Sequence, residues 1–153
     1  MKKSDNAFSV EQADDSPGFL LWQVTTLWQR GIKKALDEIA LTHPQFVILA
    51  SLLWLSAQQE HVMQIDLSIH SKIDPMTTSG IVRTLEKKGL IERQEHHTDT
   101  RAKTVKHTEA GISVTRDALK VVEKFDHSFF EKLGSGTKDF NSQLIELKKN
   151  QIS

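Results

Sequence analysis

The sequence contains no cysteine among its 153 residues and no excess of charge of either sign. Without thiols, thiolate catalysis, cysteine redox sensing and cysteine-ligated zinc are excluded, and disulfides give no information about the compartment. No apolar run approaches the roughly 18 residues of a membrane span, and no secretory signal follows the N-terminus. We therefore expect a cytoplasmic protein with no membrane association, built as one domain or as one domain with helical extensions.

Charge is distributed unevenly along the chain. Twenty basic and twenty acidic residues give a net charge of zero, which argues against a protein that binds polyanions over its whole surface. Residues 1–60 contain five basic and seven acidic residues, whereas residues 83–107 contain seven basic and four acidic residues, a local net charge of +3. This local charge is consistent with a nucleic-acid-binding patch and equally with an ordinary solvated charged face. The local sequence pattern has to decide between these two interpretations.

Long amphipathic helices are predicted on both sides of this basic stretch. Residues 1–15 are polar and acidic and predict a flexible tail. Ser16 and Pro17 have the residue types that begin a helix, and Thr108 does the same near the C-terminal third. Apolar residues recurring at three- and four-residue steps predict helices over about 16–40, from 43 onward with almost no polar face, over 109–133 and over 137–149.

Two shorter helices are predicted in the centre of the chain. Residues 63–71 have apolar side chains at helical steps and also in alternation, which would fit a strand, and we interpret them as a short helix. Asp74 caps and Pro75 opens a second helix over 75–88. Gly89 follows in the position where a helix commonly ends with a left-handed residue.

A β-hairpin is predicted directly after these helices. Residues 90–95 and 103–107 have strand patterns and are joined by a polar tip. A helix, a turn, a second helix and a hairpin within about 45 residues form the winged helix-turn-helix arrangement, in which the second helix enters the major groove of DNA. The order of elements predicts a mainly α-helical fold with a small β-hairpin wing, whose DNA-binding surface is helix 75–88 and the wing.

The motifs of this region resemble those of the MarR family of bacterial transcription regulators. They are the run from Asp74 to Arg93, the Asp-x-Arg of residues 99–101 and the exit Thr108-Glu109-Ala110-Gly111, in matching order and spacing. The combination is specific, although each part alone is weak, and the resemblance covers nearly the whole chain beyond the tail. It implies a triangular homodimer in which terminal helices interlock two subunits. The implied divisions are a dimerisation region over 16–40 and 109–153 and a winged helix-turn-helix DNA-binding domain over 41–108.

The predicted DNA contacts lie on helix 75–88 and on the wing. Arg83 can fork onto guanine, with pairing to a nearby glutamate as the alternative, and Lys87 or Lys88 can reach a phosphate. Arg101 can enter the minor groove, and the resemblance gives Asp99 a structural role in the wing. The predicted contacts are Met76, Thr77, Thr78, Ser79, Arg83, Thr84, Lys87, Arg101 and Lys103. Thr78 also lies on the apolar face of its helix, where a core position is the alternative.

Two departures from the family pattern involve histidines. His107 stands where the family commonly has leucine before the exit threonine, so either this strand position is polar or the strand ends early. His96 and His97, with Gln94 and Glu95, stand in the wing where the resemblance leads us to expect more Arg, Asp and Pro. This composition predicts weak or pH-dependent wing contacts.

Three tryptophans are candidates for an effector pocket. The resemblance implies that a small aromatic effector binds between the dimerisation helices and the winged domain, and Trp22, Trp28 and Trp54 could contact it; packing in the core or dimer interface is the alternative for each. The histidines have no His-x-x-x-His spacing, so we expect no metal site. No nucleophile elbow, phosphate-binding glycine loop or catalytic carboxylate pair is present, and we expect neither an enzyme nor a bound cofactor.

The sequence thus predicts a homodimeric transcription regulator, an effector-responsive repressor that binds double-stranded DNA at an inverted repeat. The alternative is a winged-helix protein-protein interaction module without specific DNA binding, which the net charge of zero favours. A steep fall of binding with added salt would distinguish the two, because phosphate contacts release counterions. The absence of cysteine excludes thiol-based peroxide sensing as the trigger of such a regulator.

Overall fold

A computed structural model describes residues 7–95 and 103–149. Over these residues the chain is mainly helical with one antiparallel hairpin, as predicted. Its elements are α1 (Pro17–Asp37), α2 (His43–Ser56), α3 (Gln64–Ser71), α4 (Pro75–Lys87), β1 (Ile91–Glu95), β2 (Lys103–His107), α5 (Glu109–Phe130) and α6 (Thr137–Lys148). Short 3-10 turns precede α1 at Ala13–Asp15 and join α5 to α6 at Glu131–Gly136.

The predicted helix starts are confirmed by their capping bonds. Ser16 Oγ accepts from the Phe19 amide at 3.3 Å, and Thr108 Oγ1 accepts from the Gly111 amide at 3.0 Å. Each bond satisfies an amide that the first helical turn would otherwise leave unpaired. The predicted ends of the two long helices were too late. Helix α1 ends at Asp37 because Ala40 has a left-handed φ of 59°, and α5 gives way to the 3-10 turn after Phe130.

The segment before α3 joins the wing, which was not predicted. The Val105 amide donates to the Val62 carbonyl at 2.8 Å, and Met63 forms an antiparallel bridge with Thr104. Residues 64–71 are helical, so the helical interpretation of this segment is confirmed. The extended residues before α3 therefore pair with β2 on its free side and hold the hairpin against the helix-turn-helix.

The hairpin is tied to α5 through a close backbone approach. Ile91 pairs with His107 and Glu95 with Lys103 at the two ends of the ladder. Gly111, in the first turn of α5, lies so close to the residue before β1 that a Cβ would overlap the Leu90 carbonyl. Glycine is therefore required in the Thr-x-x-Gly exit, because only its missing side chain lets α5 start directly against the hairpin.

Helix α2 lies at the centre of the core and contacts α1, α3, α4, α5 and β2, which explains why its sequence has almost no polar face. The core draws on every element of the winged domain and on the long helices. Its fully buried members include Ile32, Leu36, Ile48, Leu49, Leu52, Leu67, Val82, Leu85 and Ala118.

Helix α6 and the N-terminal half of α1 leave their apolar side chains uncovered. Helix α6 has no buried residue, and its main contacts among the described elements are with the preceding 3-10 turn. The exposed apolar side chains of these two helices include Phe19, Leu20, Leu21, Trp22, Val24, Leu27, Leu144, Ile145 and Leu147. Across the described ranges, every helix is either too short or too polar to span a membrane.

Candidate nucleic-acid interface

Helix α4 has one buried face and one exposed face. Thr78, Val82 and Leu85 are fully buried, which anchors the helix on α2 and α3. Three- and four-residue steps put the other side chains on the solvent side. The exposed face consists of Met76, Thr77, Arg83, Thr84 and Lys87 around Gly80. The side chains predicted to read DNA are thus presented together, with Thr78 and Ser79 as exceptions.

Thr78 takes the core position that the sequence left open as the alternative to a DNA contact. Its side chain is fully buried, and its hydroxyl donates to the Ile73 carbonyl at 3.2 Å. The hydroxyl satisfies a backbone group in the turn between α3 and α4, so Thr78 fixes the angle of the two helices from inside. Ser79 is half-buried beside the exposed face.

The first turn of α4 is fixed by Asp74. Its carboxylate accepts from the Thr77 amide at 2.9 Å and from the Thr77 hydroxyl at 2.6 Å. The side-chain hydrogen bond from Thr77, followed by the bond from its amide, lowers the pKa of Asp74 below its ordinary value. Asp74 is therefore ionised at neutral pH and orients the Thr77 side chain at the start of α4.

The hydroxyl protons of both exposed threonines are used within the protein. Thr77 donates to Asp74, and Thr84 Oγ1 donates to the Gly80 carbonyl at 3.1 Å. In this arrangement each hydroxyl can still accept a hydrogen bond, but neither can donate one to a phosphate. The two side chains therefore offer acceptors and methyl groups, which suit the base edges of the major groove better than the DNA backbone.

The C-terminal end of α4 is attached to the wing and to the loop before α2. Arg93 of β1 donates from Nε at 3.3 Å and from a terminal nitrogen at 3.0 Å to one carboxylate oxygen of Glu86. This bond lowers the pKa of the Glu86 carboxyl. Lys88 Nζ donates to the Ala40 carbonyl at 3.0 Å. Both lysines predicted to reach a phosphate are exposed. The ammonium group of Lys88 is already hydrogen-bonded within the protein, so Lys87 is the better placed of the two.

The described part of the wing presents Lys103 at its outer end. Lys103 is exposed, and Lys106 Nζ lies 4.0 Å from Glu92 across the ladder. Asp99 and Arg101, together with His96 and His97, lie outside the described residues, so the predictions made for them remain predictions.

Known proteins match both the sequence and this architecture. Residues 41–103 match the MarR family. The chain is 46% identical to the HTH-type transcriptional regulator YdcH of Bacillus subtilis over 89% of this chain and 92% of that protein. It is 28% identical to an HTH-type transcriptional repressor of Mycobacterium tuberculosis over 79% of this chain and 85% of the relative. The crystal structure of CouR from Rhodococcus jostii RHA1 bound to p-coumaroyl-CoA superposes with a TM-score of 0.81 at 25% identity, covering 94% of this chain and 99% of CouR.

The chain belongs to the MarR family. It is a DNA-binding transcription regulator with the winged helix-turn-helix fold. Of the two functions left open by the sequence, regulation of transcription is the one that the relatives support. The MarR family is one of transcription regulators, not of enzymes.

At the position where the sequence departs from the MarR pattern, His107 is half-buried and links β2 to α2 and α5 by polar contacts. Strand β2 continues to His107, so the early end of the strand is excluded. His107 Nε2 lies 3.1 Å from the Leu49 carbonyl and 3.3 Å from Thr115 Oγ1. Because Leu49 offers only an acceptor, Nε2 carries the proton and donates to it. Burial lowers the pKa of His107, although the bond to the Leu49 carbonyl partly opposes this.

The three tryptophans occupy separate places in this MarR-family subunit. Trp22 is 69% exposed on α1. Trp28 donates from Nε1 to Asp126 at 2.8 Å and packs edge-on against His43, with ring centroids 5.1 Å apart. Trp54 lies near the other end of α2, about 16 Å from His43 along the helix axis. Trp28 therefore joins α1, α2 and α5, a link that its position among the apolar residues of α1 did not reveal.

Trp54 lines a groove between α2 and α5. The groove measures about 570 Å³, within the usual range for small-molecule sites. Its walls are mainly apolar, with Ser51, His70 and Glu123 as the polar lining residues. The apolar lining includes Val47, Ala50, Leu53, Trp54 and Leu119.

Proposed function

We propose that this regulator is a repressor that binds an inverted-repeat operator as a homodimer, and that a small aromatic effector releases it. The observation that carries the DNA-binding site is the exposed face of α4. Arg83, Thr84 and Lys87 point outward from a helix whose opposite face is fixed in the core. A rigid helix with exposed hydrogen-bonding and cationic side chains is what major-groove reading requires.

Homodimerisation is supported by the uncovered apolar faces of α1 and α6. A helix of the length of α6, Thr137–Lys148, is marginal in water by itself, and in one subunit it buries no side chain. A second copy that covers Leu144, Ile145 and Leu147 would supply the missing packing. Two-fold symmetry would then present two copies of α4 to two half-sites one helical turn apart.

The proposed effector site is the groove lined by Trp54. It lies between α2, which carries the winged domain, and α5, which continues into the dimerisation region. A ring stacked on Trp54 would contact both parts and would favour the dimer state in which the groove fits it. The binding of p-coumaroyl-CoA by CouR, at 25% identity, supports an aromatic ligand.

The experiment that tests the DNA site is a binding assay with Arg83→Ala. The DNA is the region upstream of the gene, and a random duplex of equal length measures nonspecific affinity. We expect Arg83→Ala to weaken specific binding by about tenfold or more, the cost of a lost bidentate base contact, and to change nonspecific binding much less. Arg30→Ala, an exposed arginine of α1, is the matched control.

Two results would contradict this proposal. Equal affinity of the unmodified protein for the upstream region and the random duplex would remove sequence-specific binding there. An equal loss for both DNAs in Arg83→Ala would make Arg83 a phosphate contact and not a base contact.

A further inference from the structure

Met76 is the most exposed large hydrophobic side chain among the described residues, at 84%. A single exposed hydrophobic residue is common and needs no explanation by itself. The position of Met76 does need an explanation, because Met76 lies in the first turn of α4, where the recognition helix of this fold meets base edges. Its side chain contributes almost nothing to the core, so nearly all of its surface is available for contact with a molecule outside the subunit.

The surface around Met76 offers little hydrogen-bond donation. Thr77 and Thr84 have already given their hydroxyl protons to Asp74 and to the Gly80 carbonyl. Gly80 adds no side chain and has open space where a Cβ would stand. The N-terminal half of the exposed face therefore presents the Met76 thioether, the Thr77 methyl group and the bare backbone of Gly80. The cations Arg83 and Lys87 follow in the C-terminal half, together with the Thr84 methyl group.

One group in the major groove matches such a surface. The C5 methyl group of thymine is the apolar feature at the base edges there, and it distinguishes thymine from the other three bases. Methionine is long, unbranched and polarisable, so it can reach a methyl group and adapt to its position. We propose that Met76 contacts the C5 methyl of a thymine in each half-site and so determines that base. This inference rests on the proposed use of α4 as the recognition helix.

The test uses DNA selected by the protein itself. The full-length protein enriches binding sites from a random duplex library, and the enriched duplex is remade with each thymine replaced in turn by deoxyuridine, which lacks only the methyl group. Dissociation constants are measured for the unmodified protein, Met76→Ala and Met76→Leu. Because Met76 is so exposed, all three proteins should unfold at the same temperature, which a thermal melt verifies.

We expect one symmetry-related pair of thymines at which replacement by deoxyuridine weakens DNA binding by the unmodified protein about fourfold per base, the effect of one buried methyl group. Met76→Leu should keep this discrimination because it keeps an apolar side chain, and Met76→Ala should lose it. The remaining thymines should show equal effects in Met76→Ala and the unmodified protein.

The other outcomes overturn the inference in distinguishable ways. If a site is enriched but no deoxyuridine effect depends on Met76, the methyl contact is refuted and α4 can still be the recognition helix; Met76 would then face a protein or open solvent. If no sequence is enriched, the proposed operator binding fails, and the methyl contact fails with it.

Discussion

Replacing Gly80 by alanine should separate the stability of α4 from its fit to DNA. Gly80 lies at the centre of the exposed face, and beyond the adjacent residues and backbone of its own helix, no atom of the described structure comes within 4 Å of the position of an added Cβ. Alanine is favoured over glycine in a helix by about 0.5–1 kcal/mol, so the variant should unfold about 1–4 °C higher. If α4 contacts DNA closely, the same methyl group would clash with the duplex and reduce the binding free energy by about 1–3 kcal/mol.

The assay pairs a thermal melt with a DNA titration on Gly80→Ala. We expect a higher melting temperature together with a dissociation constant raised at least fivefold, the lower end of that cost. Gly136→Ala, at another open position with an ordinary helical φ of −79°, controls for the substitution itself and should leave DNA affinity unchanged. A more stable Gly80→Ala that binds DNA as tightly as the unmodified protein would refute a close approach of α4 to the duplex.

Three further variants test the packing around the interface. Burial lowers the pKa of His107, so on acidification the unfolded chain takes up the proton first and the protein loses stability as the pH drops below the unfolded pKa of about 6.5. In thermal melts between pH 7 and 5.5, His107→Leu should therefore lose less stability than the unmodified protein. Parallel curves of melting temperature against pH for the two proteins would contradict this. Thr108→Ala should cost about 1 kcal/mol in urea unfolding through the lost cap, and Thr108→Ser should restore it. Leu144→Asp with Leu147→Asp should turn the proposed dimer into monomers in sedimentation experiments, whereas the exposed Asn141→Asp on the same helix should not.

The element order was predictable because its signals are local. Asp74 and Pro75 open α4, and Gly89, with a φ of 75°, ends the turn after it; each acts within one turn of the chain. The faces of α4 follow from helical periodicity in the same way. For this reason the positions of Arg83 and Lys87 were available from the sequence.

What the sequence did not give depends on contacts across long distances. Lys88 bonds to the Ala40 carbonyl and Trp28 bonds to Asp126. Each bond joins segments far apart in the chain, and no local sequence pattern indicates that these segments meet. Thr78 is polar, yet it is buried, with its hydroxyl donating to the Ile73 carbonyl beside that of Ser68. Periodicity assigns a side chain to a face, but only the packed structure decides which polar atoms on that face are already satisfied.

The net charge of zero acquires a definite meaning once the cations are sorted by their partners. In the basic stretch, Arg93 is bound to Glu86, Lys88 to the Ala40 carbonyl, and Lys106 lies 4.0 Å from Glu92. Among the described residues of this stretch, exposed cations without such a bond are Arg83, Lys87 and Lys103.

This sorting predicts a modest salt dependence. If each of these three cations met one phosphate, a dimer would make six such contacts and the plot of log affinity against log salt concentration would have a slope of about −5. Adding Arg101 from each subunit would bring the slope to about −7. The slope measured with the selected operator therefore counts the phosphate contacts directly. A slope steeper than −7 would mean that Lys88, Arg93 or Lys106 leaves its present partner on binding. A slope near −2 would mean that only Lys87 of each subunit contacts a phosphate and that Arg83 and Lys103 contact bases or nothing.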